Sequence, residues 1–341
     1  MLILGIETSC DETAVAIVED GKKVLVNLIA SSIQQHQKYG GIVPEIAARD
    51  QIKQILPLLE KAFQESKLTW EGIDKIAVTE NPGLVSSLLI GINTAQTLAW
   101  LKQKPLIKVN HIHGHIYANW LERETEPVFP IMVLTVSGGH NELMLLHSHG
   151  NFELIGETLD DSAGEAFDKV AKMLELGYPG GPIISKLAEK GDLKAYKFPR
   201  ALNQNENFDF SFSGLKTAVL YTLRDLQENM IPPACSVCGK KGAQGVFPEK
   251  IKADICASFQ EAVCEILSKK LIKSAEKFQV KEIHLAGGVS ANQRLRQLVQ
   301  TNIANSPILK GVKFRFPEKI EYCTDNASMI ASAGYWRTAN G

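Results

Sequence analysis

The chain opens with two short apolar runs, residues 2–5 and 13–19, on either side of the polar turn Glu7-Thr8-Ser9-Cys10-Asp11-Glu12. Runs of this length and composition, bounded by turn-forming side chains, predict two strands, and residues 24–31 extend the same sheet. Helical apolar spacing follows over 42–66, a buried-strand pattern over 73–79, and Pro82-Gly83 turns the chain into a second long helix over 85–101. After 127 the succession starts again, with a strand over 130–136, the small polar turn Ser137-Gly138-Gly139-His140 and a returning strand over 142–147. The residues of the two passages barely match, so what repeats is topology, and it predicts a duplicated α/β lobe. A helix over 250–278, a strand over 283–286, the turn Gly287-Gly288-Val289-Ser290, a helix over 291–299 and a last helix over 326–336 complete the pattern. Residues 228–249, with Pro232-Pro233 and several glycines, interrupt a helical region and read as a loop or insertion.

Composition agrees with two lobes, since 341 residues at 45% hydrophobic and 22% charged exceed what one ordinary domain holds. A net charge of -1 and a pI near 6.7 exclude a global basic field, so any RNA surface must be local. Such patches stand at 102–108, 194–200, Lys240-Lys241, Arg294 with Arg296, and 310–319. The apolar start at residues 1–6 is too short for a signal-peptide core, and no run approaches the roughly 20 apolar residues that span a bilayer. A cytoplasmic protein without a membrane contact is expected. The six cysteines are too scattered for a disulfide framework, and Cys235-Ser236-Val237-Cys238 is half a zinc knuckle without its other half, hence a reduced loop.

Candidate chemistry begins at Asn110, which can cap a helix in which His111 and His115, four apart, share one face able to chelate a transition metal. His113 lies about 200° from His111 at roughly 100° per residue and faces elsewhere. Ile112 stands where a zinc protease of the H-E-x-x-H type carries its general base, which argues against that reading. Three turns after strands, at 8–13, 137–140 and 287–290, have the small residues that let backbone N–H groups approach phosphate. Acidic groups gather at Asp11-Glu12, at Asp160, Asp161 and Asp168, and at Asp325; Asp160-Asp161 reads otherwise as a helix start, and Asp325 as a cap of the last helix.

Taken together, Gly5-Ile6-Glu7-Thr8-Ser9-Cys10-Asp11-Glu12-Thr13, His111-x-His113-Gly114-His115, Val136-Ser137-Gly138-Gly139-His140, Gly164-Glu165-Ala166-Phe167-Asp168-Lys169, Tyr178-Pro179-Gly180-Gly181-Pro182, Phe210-Ser211-Phe212-Ser213-Gly214-Leu215-Lys216, Gly287-Gly288-Val289-Ser290-Ala291-Asn292 and Cys323-Thr324-Asp325-Asn326 resemble, in that order, the TsaD family of transfer RNA threonylcarbamoyladenosine transferases. The resemblance implies an actin-like ATPase (ASKHA) fold of two related RNase H-like lobes, with the active site in the cleft between them. Residues 1–110 with 320–341 would form one lobe and 111–319 the other. It implies transfer of threonylcarbamoyl from threonylcarbamoyl-AMP to N6 of adenosine 37 in tRNAs reading codons that begin with A, releasing AMP. One divalent metal, Fe2+ with Zn2+ or Mg2+ as alternatives, would be held by His111, His115 and Asp325. Substrate would contact Thr135, Val136, Ser137, Gly138, Gly139, Asp168, Gly181 and Asn292, while Asp11 and Glu12 would position the attacking amine. Its partners, in the bacterial or organellar arrangement, would be tRNA, a non-catalytic paralogue (TsaB type) and a small ATPase (TsaE type), with a homodimer as the alternative assembly.

Two rivals are weaker. An actin-like ATPase or phosphotransferase would hold magnesium through carboxylates and water, not through paired imidazoles, and a degenerate scaffold paralogue would not keep the metal and phosphate motifs intact.

Overall fold

The computed structural model describes residues 1–201, 207–230 and 247–339. The first half runs β1 (Leu2–Glu7), β2 (Glu12–Glu19), β3 (Lys23–Ser31), α1 (Ile33–Gln37), α2 (Pro44–Ser66), β4 (Lys75–Asn81), α3 (Val85–Lys102) and β5 (Leu106–Asn110). A short helix α4 (His111–Tyr117) leads into β6 (Ile131–Val136), β7 (Asn141–Ser148), β8 (Asn151–Glu157), α5 (Ala163–Met173), α6 (Gly180–Ala188), α7 (Ser213–Met230), α8 (Glu249–Lys277), β9 (Glu282–Ala286), α9 (Gln293–Asn305), β10 (Lys313–Arg315) and α10 (Ala327–Ala339).

The strands form two five-stranded sheets, ordered β3-β2-β1-β4-β5 and β10-β9-β6-β7-β8. In each, three antiparallel strands come first in sequence, and two more join parallel to the opening strand. The repeated strand, polar turn and strand pattern is therefore a true repeat of sheet topology. Strands β1 and β6 are central and buried on both faces, which is why they read as continuous apolar runs.

Three cores result. Helices α2 and α3 cover one face of the first sheet over Leu4, Ile6, Ile76 and Val78. Helices α5 to α9 pack around the second sheet over Leu134, Val136, Phe167 and Phe259. The third core joins the sheets: Ile3, Ala77 and Val109 meet Ile131, Val133 and Ala286 through Ile112 and Ile116 of α4 and Met329 and Ile330 of α10. Helix α10 lies directly on β1, and Gly5 permits this, because a Cβ there would collide with the carbonyl of Ala327. Helices α4 and α10 thus sit between the sheets, and the segment just before α10 is delivered to the same place as α4.

The structure adds elements that apolar periodicity does not mark. Strand β8 is mostly exposed and β10 is three residues long. The helix expected at 291–299 starts later, because Gly288–Ala291 is a 3-10 turn and Asn292 caps α9. Of the insertion at 228–249, residues 231–246 with Cys235, Cys238 and Lys240-Lys241 lie outside the described residues. Among the described residues no helix is long and apolar enough to cross a membrane.

Candidate metal centre and active site

Helix α4 starts at Asn110, whose side-chain oxygen accepts from the N–H groups of Ile112 and His113 at 2.8 and 3.1 Å. The cap fixes the first turn and sends His111 and His115 out on one face, their rings edge to face at 4.7 Å. Asp325 does not cap the last helix as one sequence reading allowed. That role falls to Asn326, which accepts from the N–H of Met329 at 3.0 Å. Asp325 is left to turn inward, where one carboxylate oxygen lies 3.1 Å from His115 Nε2 and 3.5 Å from His111 Nε2. The three ligand atoms fall within 4.8 Å of one another.

His115 is fully buried, and among the described residues neither of its ring nitrogens has a hydrogen-bond partner; Nε2 approaches Asp325 without the direction of one. A buried imidazole left this way is costly, and a cation between the two Nε2 atoms and the carboxylate would satisfy the Nε2 half of the deficit. Two imidazoles and one carboxylate form a donor set for a borderline transition metal, so the residues fit the implied group. Without a cation the cluster is held by its own charges. Burial works against charge on His111, but Asp325 and Glu7 outweigh it and push its pKa up to about 9. Burial likewise opposes the Asp325 carboxylate, yet the His111 and His115 rings hold it at about 2. His113 points the other way, as helix geometry requires: its ring stacks on Phe152 at 3.9 Å, and burial pushes its pKa to about 4.

The turn between β1 and β2 faces this cluster. Asp11 is buried, and Glu12 is held well above the ordinary carboxylate range, first by burial and then by the negative charges of Asp325 and Asp11. Its only hydrogen-bond donor among the described residues is the Ser31 hydroxyl at 3.4 Å. At the turn of residues 8–13 one of the backbone donors that a phosphate would use is already engaged. The N–H of Ser9 is taken by Glu7 at 2.5 Å, and three carboxylates, Glu7, Asp11 and Glu12, make the turn acidic, suited to a cation or an amine.

The other two glycine turns leave open space at Gly138, Gly139 and Gly288. Thr135 and Val136 end β6 as buried residues, and the turn closes from Ser137 N–H to the His140 carbonyl at 2.8 Å. Gly138 and Gly139 project with open space where a Cβ would sit, as do Gly181 and Gly288. Asp168 holds the start of α6 by accepting from Gly180 N–H at 2.7 Å; burial raises its pKa and that bond only partly offsets the effect. Asn292 is spent on the framework: it caps α9 through Leu295 N–H at 3.0 Å and donates to Ser185 and Gln260 at 3.0 and 2.8 Å. The two sides meet where Gln37 donates to the Tyr178 carbonyl at 3.2 Å.

Some residues at the site escape sequence reasoning. Glu7 and Ser9 stand 3.3 and 3.2 Å from His111 Nδ1, and the one available signal was an ionisable residue ending an apolar strand. His140 lies within the field of the cluster: burial lowers its pKa first, and His111 and His115 add to that. The Tyr178 phenol is pushed up by burial and by Asp11 and Asp168.

The four arginines of the expected basic patches all have intramolecular partners, and Arg315 is buried. Arg200 pairs with Glu265, Arg294 with Glu261 and Arg315 with buried Glu282, while Arg296 donates to the Ser290 carbonyl and lies over Phe316. Exposed lysines remain at Lys194, Lys197, Lys310 and Lys313.

Two sheets of one topology, glycine turns on one side and a His-His-Asp cluster with an acidic turn on the other, define an actin-like ATPase fold built around a candidate transition-metal centre. Solved structures of that fold align along the chain: HypF from T. kodakarensis (TM-score 0.63, 14% identity, 99% of this chain and 48% of that one) and component A of the Acidaminococcus fermentans (R)-2-hydroxyglutaryl-CoA dehydratase (0.53, 16%, 99% of each). The profile of the TsaD family, described as tRNA N6-adenosine threonylcarbamoyltransferase, matches residues 23–332. Relatives carrying that description are 49% identical in Thermomicrobium roseum, over 100% of this chain and 93% of theirs, and 48% identical in Bacillus subtilis, over 98% and 90%. The chain belongs to the TsaD family.

Proposed function

We propose that this protein transfers the threonylcarbamoyl group of threonylcarbamoyl-AMP to N6 of adenosine 37 in tRNAs that read codons beginning with A, and releases AMP. The observation that carries the reading is the convergence of His111, His115 and Asp325, opposite glycine turns whose Cα positions are open. In the reaction the N6 nitrogen forms a bond to the carbamoyl carbon, the bond from that carbon to the phosphate oxygen breaks, and one N6 proton is lost. Asp11 and Glu12, the carboxylates of the acidic turn that faces the cluster, position the attacking amine and take up that proton. Gly138, Gly139 and Gly181 face the adenylate from the open side of their turns, Thr135, Val136 and Ser137 form the strand end and turn closure that carry the first two against the substrate, and Asp168 and Asn292 fix the turns that present them. His111, His115 and Asp325 hold one divalent metal, Fe2+ in preference to Zn2+ or Mg2+. When bound it supplies positive charge where the AMP phosphate gains negative charge.

The lobes divide as residues 1–110 with 320–341 against 111–319, and the protein works in the cytoplasm with a non-catalytic paralogue of the TsaB type and a small ATPase of the TsaE type. The test is mass spectrometry of tRNA nucleosides from cells depleted of this protein. Selective loss of threonylcarbamoyladenosine is expected; an unchanged level would refute the activity.

A further inference from the structure

The His-His-Asp cluster is asymmetric behind its ligating nitrogens. Among the described residues His115 Nδ1 is buried with no hydrogen-bond partner, whereas His111 Nδ1 faces Glu7 Oε2 at 3.3 Å and Ser9 Oγ at 3.2 Å. Glu7 is 1% exposed and sits at the end of β1, so its carboxylate is fixed by the sheet and not by solvent. Its other hydrogen bonds among the described residues bring hydrogens to it: Oε1 accepts from Ser9 N–H at 2.5 Å, and Oε2 accepts from the Thr79 hydroxyl. A carboxylate beside one ring nitrogen places the proton there and leaves the lone pair on the other. That other nitrogen, Nε2, is the one turned toward Asp325.

We infer that Glu7 is a positioning residue for the metal centre: it fixes His111 as the Nδ1–H tautomer, frees Nε2 for the cation, and makes that nitrogen a stronger donor. The inference rests on the metal reading of His111, His115 and Asp325. Removing the Glu7 charge has a consequence that geometry dictates. In Glu7→Gln one acceptor becomes an NH2 donor, and it cannot face the backbone N–H of Ser9, which always donates. The NH2 must therefore take the Oε2 side, toward Thr79, whose hydroxyl can rotate to accept, and toward His111 Nδ1. Facing a donor, Nδ1 gives up its proton and Nε2 acquires one. The ring then presents N–H where it had presented a lone pair. Ser9 has a different part. Its hydroxyl rotates to donate or accept, so it follows either tautomer and selects neither.

The experiment is a titration of Co2+ into metal-free wild-type protein and the Glu7→Gln, Ser9→Ala and His111→Ala variants, read by the visible d–d absorption of the bound ion. Glu7→Gln is expected to bind roughly 10- to 100-fold more weakly, with a changed band, while Ser9→Ala keeps wild-type affinity and His111→Ala binds no ion at this site. Wild-type affinity and spectrum in Glu7→Gln, with His111→Ala still deficient, would overturn the inference and leave the metal reading standing. No Co2+ uptake by the wild type would remove the metal reading itself. Should Glu7→Gln fail to fold by circular dichroism, the tautomer is read in Zn2+-loaded wild-type protein labelled with 15N-histidine, where His111 is expected to show a protonated Nδ1 and a metal-bound Nε2. The reverse assignment would sink the proposal.

Discussion

Gly287 and Gly288 are adjacent but differ in what a side chain would meet, so replacing each separates what the fold needs from what a ligand needs. Gly287 has φ +80° and ψ 169°, a region essentially reserved for glycine, and a Cβ there would lie 2.5 Å from the Val136 carbonyl oxygen. That oxygen belongs to the central strand of the second sheet and cannot step aside. Backbone strain of about 1–3 kcal/mol, with the clash added, makes Gly287→Ala cost roughly 3–5 kcal/mol. At about 2.1 cal/mol/K per residue, unfolding of the whole chain has an entropy of about 0.7 kcal/mol/K, so the loss corresponds to a melting temperature about 4–7 °C lower. Among the described residues nothing lies within 4 Å of where a Cβ on Gly288 would sit, and the same is true of Gly138. Gly288→Val and Gly138→Val should therefore melt within about 1 °C of wild type, by a stability change under about 0.5 kcal/mol, yet fill the space that a phosphate needs. Calorimetry with AMP or ATP beside thermal melts followed by circular dichroism decides. Undiminished nucleotide affinity in the folded valine variants would show that these turns are only bends, and wild-type melting of Gly287→Ala would refute the steric argument.

His111→Ala and His115→Ala should each lose most bound metal, whereas His113→Ala, whose ring stacks on Phe152 on the opposite side of α4, should keep it; elemental analysis of the purified variants reads this directly. Burial opposes the Glu282 charge, but His284, Arg315 and the Val128 N–H outweigh it and hold its pKa at about 2, below the unfolded value of about 4.5. Its stabilisation is thus complete above pH 4.5 and fades as pH falls toward 2. Glu282→Gln should cost about 3–5 kcal/mol at pH 7 by stranding Arg315, and melts across pH should show the gap to wild type closing in that window. With a net charge of -1 the chain alone should transfer labelled threonylcarbamoyl to tRNA weakly or not at all, and adding the paralogue and small ATPase should restore turnover. Replacing Lys194, Lys197, Lys310 and Lys313 should weaken tRNA binding and flatten its salt dependence while sparing AMP affinity; tRNA binding measured across salt would show otherwise if they play no part.

The duplicated sheet was legible because β1 and β6, buried on both faces, write themselves as apolar runs followed by polar turns. The histidine pair was legible because four residues make one helical turn and Asn110 announces where the helix starts. Asp325 was not reachable that way. It lies more than two hundred residues from His115, and the same letters before a helix serve equally well as a cap; only the resemblance separated the two uses, and the structure gives the cap to Asn326. The arginines of the basic patches were not legible for a related reason. A sequence does not say whether an arginine has a buried carboxylate waiting, and Arg294 and Arg315 do, in Glu261 and Glu282. Helix α6 was hidden by its Gly180-Gly181-Pro182 start, which spells a turn, although the N–H of Gly180 is needed by Asp168.

One strand organises the centre through its period of two. On β1, Leu4 and Ile6 enter the core under α2 and α3, while Ile3 enters the opposite core, where α4 and α10 lie. Gly5 and Glu7 follow Ile3 on that second face. Gly5 seats the start of α10 against the strand and so brings Asp325, two residues before that helix, to the cluster; Glu7 meets His111 of α4. The chain then turns through Asp11 and Glu12, which face the same cluster. A slip of one residue in the pairing of β1 would send Glu7 into the apolar core under α2 and α3 and turn Leu4 and Ile6 toward the histidines. The register Leu4 to Ile17 and Ile6 to Val15 is therefore set by the burial of these side chains, and the same burial sets the geometry of the donor atoms.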